Sequence, residues 1–373
     1  MKAQAGVFYG EGQPIKVEEI DVDDPKENEV MLKMVSSGLC HSDYHMVTGE
    51  FGPIPMPMIG GHEGAGIVEK VGPGVRNVAP GDHVLLSFLP ACGQCQYCAM
   101  GQSQYCDSSA TILEGKQLDG THRARGRDGT GYGQFCLIGT FANYAVVPAM
   151  SCIKVHHDQP LDKICLMGCC IPTGFGSATK SAGTREGEVV VVFGIGGVGA
   201  NALQGAASAG ARAVIAVDPQ PFKREMAEQL GATHTIDPTT EDVAARVMEL
   251  TYNRGADRVV ITIGNPTPED YGKAFACTRK AGRLVCTSVA HSKYDSLPIS
   301  PFELTLFAKQ VVGNLFGDST FREDIPRLLE MYSAGKLKID ELITKTYKLG
   351  DINQGYQDML DGKNIRGVII HEH

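Results

Sequence analysis

Four cysteines, Cys92, Cys95, Cys98 and Cys106, fall within fifteen residues, with two, two and seven positions between neighbours. Four thiolates so spaced can wrap one tetrahedral zinc ion at Zn–S distances of about 2.3 Å, and the closed shell leaves no position for a substrate. Such an ion folds a lobe rather than catalyses. The first three cysteines share a ferredoxin spacing, but that run takes its fourth Cys after three residues and then a Pro. Here Asp107 follows Cys106, so zinc is favoured over an iron–sulfur cluster and over disulfides. A second cluster, Cys40-His41-Ser42-Asp43-Tyr44-His45, offers a thiolate, two imidazoles, a hydroxyl and a carboxylate in six residues. A third, Gly60 to Gly66, sets His62 beside Glu63 among glycines, and Gly168-Cys169-Cys170 adds two thiols far downstream. Imidazole, carboxylate and thiolate are the side chains that ligate transition metals.

These groups need a frame. From Met1 to about Val155 the sequence reads as short strands broken by Gly and Pro, among them 29–35, 66–71 and 83–88. From Glu188 onward strands and helices alternate in units of 20–30 residues, the pattern of a parallel sheet covered on both faces. The run Val189–Phe193 leads into Gly194-Ile195-Gly196-Gly197-Val198-Gly199 and then an Ala-rich helix, with Asp218 nineteen positions after Gly199. A strand before, a helix after and an acid at that distance are the context of a dinucleotide fingerprint. Gly194 permits the turn, Gly196 lets a pyrophosphate approach the helix N-terminus, and Gly199 lets helix and strand pack closely. Asp218 would accept hydrogen bonds from the adenosine ribose and repel a 2′-phosphate, which favours NAD over NADP. After Val311 the pattern leaves this alternation, with an amphipathic helix over 321–334 and a closing strand over 366–370.

Composition excludes several classes. A net charge of −9 and a pI near 5.7 leave no footprint for nucleic acid. No apolar run approaches the roughly 20 residues of a membrane span, and the first residues lack a signal-peptide core. A cytoplasmic protein is expected, whose twelve cysteines serve metal rather than disulfides. Arg123, Arg125 and Arg127, in the connector 107–142, read as a solvated loop rather than an anion site.

In order and spacing these motifs resemble the zinc-dependent medium-chain alcohol dehydrogenases along nearly the whole chain: Cys40-x-Ser42-Asp43-x-x-His45, Gly61-His62-Glu63-Gly64, the four-Cys lobe, Gly168-Cys169, the fingerprint 194–199 and Arg366. Within that family the connector and Gly139-Thr140-Phe141 look most like bacterial nicotinoprotein-type enzymes, assayed with a nitroso dye and keeping their nicotinamide bound. The fold so implied is α/β: a GroES-like β-barrel catalytic domain over 1–170 with a structural-zinc lobe at about 90–107, a Rossmann doubly wound parallel sheet over 171–313, and a return to the catalytic domain over 314–373.

The resemblance also implies a zinc at Cys40, His62 and Cys169 (rather than Cys170), a second at Cys92, Cys95, Cys98 and Cys106, and NAD(H) as cofactor. Asp43 would orient His62, Glu63 would lie behind the metal near Arg366, and Ser42, the cofactor ribose and His45 would relay a proton outward. His41, Lys223 and Arg366 join the cofactor set, and Phe88 lines the alcohol pocket. His41 stands where many relatives carry arginine. The glycines of 60–66 read as room for metal and nicotinamide. The implied partners are a small alcohol or aldehyde and further copies of the chain, as homodimer or homotetramer. Less favoured are a thiol-dependent formaldehyde dehydrogenase on the same scaffold and a metal- or redox-sensing binding protein, which would not need a complete catalytic set.

Overall fold

A computed structural model describes all residues from Met1 to His373. The chain forms two units: Met1–Cys169 together with Thr320–His373, and Cys170–Ser319.

In the first unit the strand Glu29–Leu39 is central, buried along almost its whole length because its side chains alternate between two cores. Val30, Leu32 and Met34 enter one, with Phe135 and Phe141, while Met31 enters the other, with Ile20, Ile59 and Val146. Each such aliphatic contributes about 1.5–3 kcal/mol on burial, so the strand is firmly held. Gly64–Val71 runs antiparallel to it with Ser37 opposite Gly64, and Arg366–Ile370 runs antiparallel on its other side with Leu39 opposite Gly367. One end of three neighbouring strands therefore gathers residues 40, 62, 63 and 366. A separate closed barrel is built from Lys2–Phe8, Lys16–Val22, Ala124–Arg125, Gly131–Gln134 and Met58–Ile59.

The connector 107–142 departs from the expected solvated loop. It supplies two of those barrel strands, and Arg123 is only 1% exposed. Its guanidinium grips the buried Glu29 through Nε at 2.7 Å and Nη2 at 2.6 Å, and Nη2 also reaches Asp119 at 2.7 Å. A carboxylate buried at the start of the central strand demands such a partner. Arg125 and Arg127 do lie in solvent, pairing loosely with Asp23 and Glu19.

The second unit holds a six-stranded parallel sheet in the order His234–Ile236, Ala213–Val217, Val189–Phe193, Ala256–Ile261, Thr278–Cys286, Gln310–Gly313. Numbered within the unit this is 3-2-1-4-5-6, the doubly wound arrangement that turns direction beside its first strand. Val189, Val191 and Phe193 point into one apolar layer and Val190 and Val192 into the other. The all-apolar run thus follows from burial on both faces. No helix of the chain is long and apolar enough to cross a membrane.

Candidate active site and metal centres

Cys40 leaves the end of Glu29–Leu39 in an extended conformation and precedes the helix His41–Thr48. His62 and Glu63 lie just before Gly64–Val71, and Cys169 follows the turn Cys165–Gly168. At Gly168 a side chain would strike Leu86 O at 2.7 Å, so only glycine lets this turn press against the strand ends. The result is a buried group in which one ligand atom each from Cys40, His62, Glu63 and Cys169 lies within 4.8 Å of the others. Cys170, though buried, is not among them.

Asp43 stands behind the imidazole. Its Oδ2 lies 3.0 Å from His62 Nδ1, and its Oδ1 accepts the Gly61 N–H at 2.8 Å. That leaves Nε2 of His62, buried and without a hydrogen-bond partner, as the nitrogen available to an ion. Glu63 is turned the other way. Arg366 donates to both of its oxygens, Nη1 to Oε1 at 3.1 Å, and Nη2 also bonds Leu39 O at 2.9 Å. Gly38 makes room for the pair, because a Cβ there would overlap the Glu63 carboxylate.

The electrostatics suit a cation. A hydrogen bond from the Cys169 thiol, then the charges of His62 and Arg366, hold the Cys40 thiol well below its usual range despite burial. Burial alone would lower His62, but the charges of Asp43 and Cys40 outweigh it and hold the imidazole well above its ordinary value. Burial raises Asp43 against the pull of His62, and raises Glu63 against the pull of Arg366. A thiol held low, beside an imidazole nitrogen with no hydrogen-bond partner, is a donor set that would suit a zinc ion, whose ligands bind in their deprotonated forms.

Ser42 Oγ lies 3.8 Å from Cys40 Sγ. His45, one turn further along, is buried and paired with the Glu50 carboxylate, while the half-buried His41 lies with its ring 5.0 Å from that of His45. Phe88 and Phe135 meet the His62 ring edge-on at 5.5 and 5.6 Å. Sequence reasoning missed Glu50 and Phe135. Phe135 carries no local signal, and Glu50 reaches His45 only through the reversal at Gly49. At Gly61 and Gly64 the position of a side chain is filled by Thr140, Phe141 and Met34, so there the missing side chains admit protein packing and not the ligand expected from sequence.

The four-Cys lobe is equally compact. One sulfur each from Cys92, Cys95, Cys98 and Cys106 lies within 4.8 Å of the others, and all are free thiols. Backbone N–H groups point at these sulfurs: Cys92 N–H at Cys106, Cys95 N–H at Cys92 and Cys98 N–H at Cys95, at 3.2–3.5 Å. The N–H groups of Gln94 and Cys95 bring the Cys92 thiol down to about 6, whereas burial pushes Cys98 up to about 12. Four sulfurs this close together, with backbone N–H groups aimed at three of them, fit a tetrahedral ion.

In the second unit Gly194 turns the chain at φ 87° out of Val189–Phe193, and Gly196 precedes the helix Gly197–Ser208 with no side chain capping it. A Cβ at Gly196 would meet nothing within 4 Å, so the helix N-terminus opens onto space that a pyrophosphate can occupy. A side chain at Gly199 would overlap Gly194 O and lie 2.7 Å from Thr262 Oγ1, so close packing excludes one. Val198 is half-buried beside them. Asp218, at the end of Ala213–Val217, accepts the N–H groups of Ile195 at 2.7 Å and Gln220 at 2.9 Å, which fixes its carboxylate next to the glycine turn. Lys223 is half-buried in the first turn of Pro221–Gln229.

Comparison with known proteins places both units. The alcohol dehydrogenase GroES-like domain family matches residues 26–157, and the zinc-binding dehydrogenase family matches residues 197–334. The chain is 48% identical over 371 residues to the NDMA-dependent alcohol dehydrogenase of Amycolatopsis methanolica, covering 100% of this chain and 99% of that protein. It is 38% identical over 379 residues to the S-(hydroxymethyl)glutathione dehydrogenase of Paracoccus denitrificans, covering 100% of each. Among solved structures, the alcohol dehydrogenase zinc-binding domain protein from Burkholderia ambifaria aligns with a TM-score of 0.93 at 32% identity, covering 100% of both chains.

Proposed function

Since the chain belongs to the zinc-dependent medium-chain alcohol dehydrogenase family, we propose that it transfers hydride between an alcohol and NAD, giving an aldehyde or ketone. One observation carries the reading: Cys40, His62 and Cys169 converge with Asp43 behind the imidazole and Glu63 engaged by Arg366. These three residues would hold one zinc ion, Cys92, Cys95, Cys98 and Cys106 would hold another, and the turn 194–199 would seat the pyrophosphate of NAD. When bound, the first zinc supplies Lewis acidity that eases loss of the alcohol proton, and NAD accepts the hydride.

The remaining work falls to the chain's own groups. Asp43 fixes the ring of His62 and raises the basicity of its other nitrogen. Ser42 and His45 stand three positions apart on the helix His41–Thr48 and so share a face. Ser42 Oγ, beside Cys40, is the acceptor for the alcohol proton, and the His45 imidazole carries it outward. Phe88 lines the apolar side of the alcohol. The Asp218 carboxylate disfavours a 2′-phosphate, and His41, Lys223 and Arg366 supply positive charge toward the cofactor.

In this reading the nicotinamide stays bound through turnover, supported by the full-length identity to an NDMA-dependent enzyme. The thiol-dependent formaldehyde reading has the more distant relative. Exposed Phe302 and Leu306, near the edge strand Gln310–Gly313, support a homodimer or homotetramer, and twelve free thiols support the cytoplasm. Extensively dialysed protein is expected to hold about two zinc ions per chain and to keep the absorbance band of reduced nicotinamide after alcohol is added, with turnover on a nitroso dye. Loss of the band, with activity dependent on added NAD, would leave an ordinary dehydrogenase. Cys40→Ala should abolish turnover while the fold survives; full activity in that variant would sink the alcohol reading. Formaldehyde oxidation that requires a low-molecular-weight thiol would select the alternative.

A further inference from the structure

His45 poses a difficulty for a proton carrier: it is only 2% exposed, so its contact with water is slight. What it has is Glu50, itself 5% exposed, whose carboxylate pairs with Nδ1. The pairing is built by the end of the helix. Gly49 takes the left-handed conformation at φ 72°, its N–H returns to His45 O, and the Glu50 N–H bonds the same carbonyl at 3.1 Å. This reversal lays Glu50 back over the last turn, as helix ends closed by a left-handed glycine do. Gly49 itself abuts the Glu11 carboxylate, which a side chain there would meet at 2.8 Å. Around the ring stand Glu50, His41 at 5.0 Å between ring centres and the apolar edge of Phe51 at 5.3 Å, with Glu11 one residue beyond.

We propose that Glu50 is a positioning residue for His45: its carboxylate holds Nδ1–H, leaves Nε2 as the basic nitrogen, and balances the ring's charge when a proton arrives. The proposal rests on the alcohol-oxidising reading above. As the alcohol O–H bond breaks, its proton, handed on from Ser42, forms a bond to the Nε2 lone pair. No electrons leave the ring, the imidazolium faces the Glu50 carboxylate, and Nε2 later gives the same proton to water. An opposite charge at contact distance raises an imidazole's pKa by roughly 1–3 units, so Glu50 also sets how strong a base His45 is.

The test combines histidine-selective 15N NMR of the zinc holoenzyme, with His45→Gln identifying the resonance, and pH profiles of kcat and KM. Wild-type His45 should show the tautomer protonated at Nδ1. In Glu50→Gln its pKa should fall by about one unit or more, the acid limb of kcat should move down with it, and plateau kcat should drop about three- to tenfold. Zinc content and KM for the alcohol should hold, and Glu50→Asp should restore part of the loss. Should Glu50→Gln not fold, Glu50→Asp carries the test through its smaller shift of the same resonance. A Glu50→Gln enzyme with wild-type tautomer, His45 pKa and kcat overturns the proposal, as does His45→Gln with wild-type turnover. A resonance that shifts in Glu50→Gln while the wild type oxidises no alcohol upholds the pairing and defeats the functional reading instead.

Discussion

Replacing Arg366 by Met keeps the apolar stem of the side chain but removes the guanidinium that faces Glu63. Glu63 is fully buried and Arg366 is 4% exposed, so solvent screens neither. Breaking a buried ion pair at one end costs about 3–5 kcal/mol, because the other charge stays behind in a medium that cannot solvate it. Glu63 has one escape, which is to take up a proton. Burial already raises its carboxyl against the pull of Arg366, so without the arginine it rises further. A folded-state carboxyl raised above its unfolded value binds protons more tightly in the native protein. The deficit of Arg366→Met should therefore be greatest at pH 8 and shrink toward pH 6, by up to about 1.4 kcal/mol per pH unit. Glu63→Gln combined with Arg366→Met removes both charges and should recover at least about 2 kcal/mol of the single variant's loss. Urea unfolding of zinc-loaded protein in one fixed cofactor state, with midpoints compared at a common slope, measures each corner of the cycle. If Arg366→Met stays within about 1 kcal/mol of wild type at pH 8, or the double variant is as damaged as the single one, the argument from buried charge is wrong.

Two further outcomes follow from the same structure. Cys98→Ser should lower the zinc content by about one ion per chain and open the segment around the exposed Tyr97 and Met100 to proteases, while the sheet of the second unit keeps its circular dichroism; full zinc with a protected lobe would contradict the four-sulfur assignment. His371, whose Nε2 lies 2.9 Å from Ser37 Oγ, is pushed by burial from 6.5 down to about 3. A depressed folded value means full stability above pH 6.5 and progressive loss as pH falls toward 3. His371→Gln should accordingly lose about 2 kcal/mol less than wild type between pH 7.5 and pH 5, and identical pH dependence in the two proteins would remove the buried neutral imidazole as its cause.

How much was legible in the sequence depended on how local each cause was. The four-Cys lobe could be read directly, because all its ligands lie in one short segment. The parallel sheet was legible through runs such as Val189–Phe193, whose lack of polar alternation reflects two covered faces. The centre at Cys40, His62 and Cys169 could be drawn only from resemblance. Its members meet because Ser37 pairs with Gly64 and the turn before Cys169 packs on the strand ends, and no spacing announces that register. Arg123 was misread for the same reason: its partner Glu29 lies 94 positions away, so a charge run in a connector resembled a solvated loop.

The strand carrying Arg366 lies beside the one that ends at Leu39, yet the two are 327 positions apart in the chain. A ribosome adding about 5–20 residues per second needs roughly 15–65 s to cover that interval. For most of it, the nascent chain holds Glu63 without its cation and leaves the last four residues of the central strand, Ser36–Leu39, unpaired on one edge, although residues 29–33 on that edge can already pair with Tyr144–Pro148. An unpaired edge recruits other strands, so this enzyme is most vulnerable to misassembly while it is still being made, and the pair between Glu63 and Arg366 can close only once residue 366 has been added.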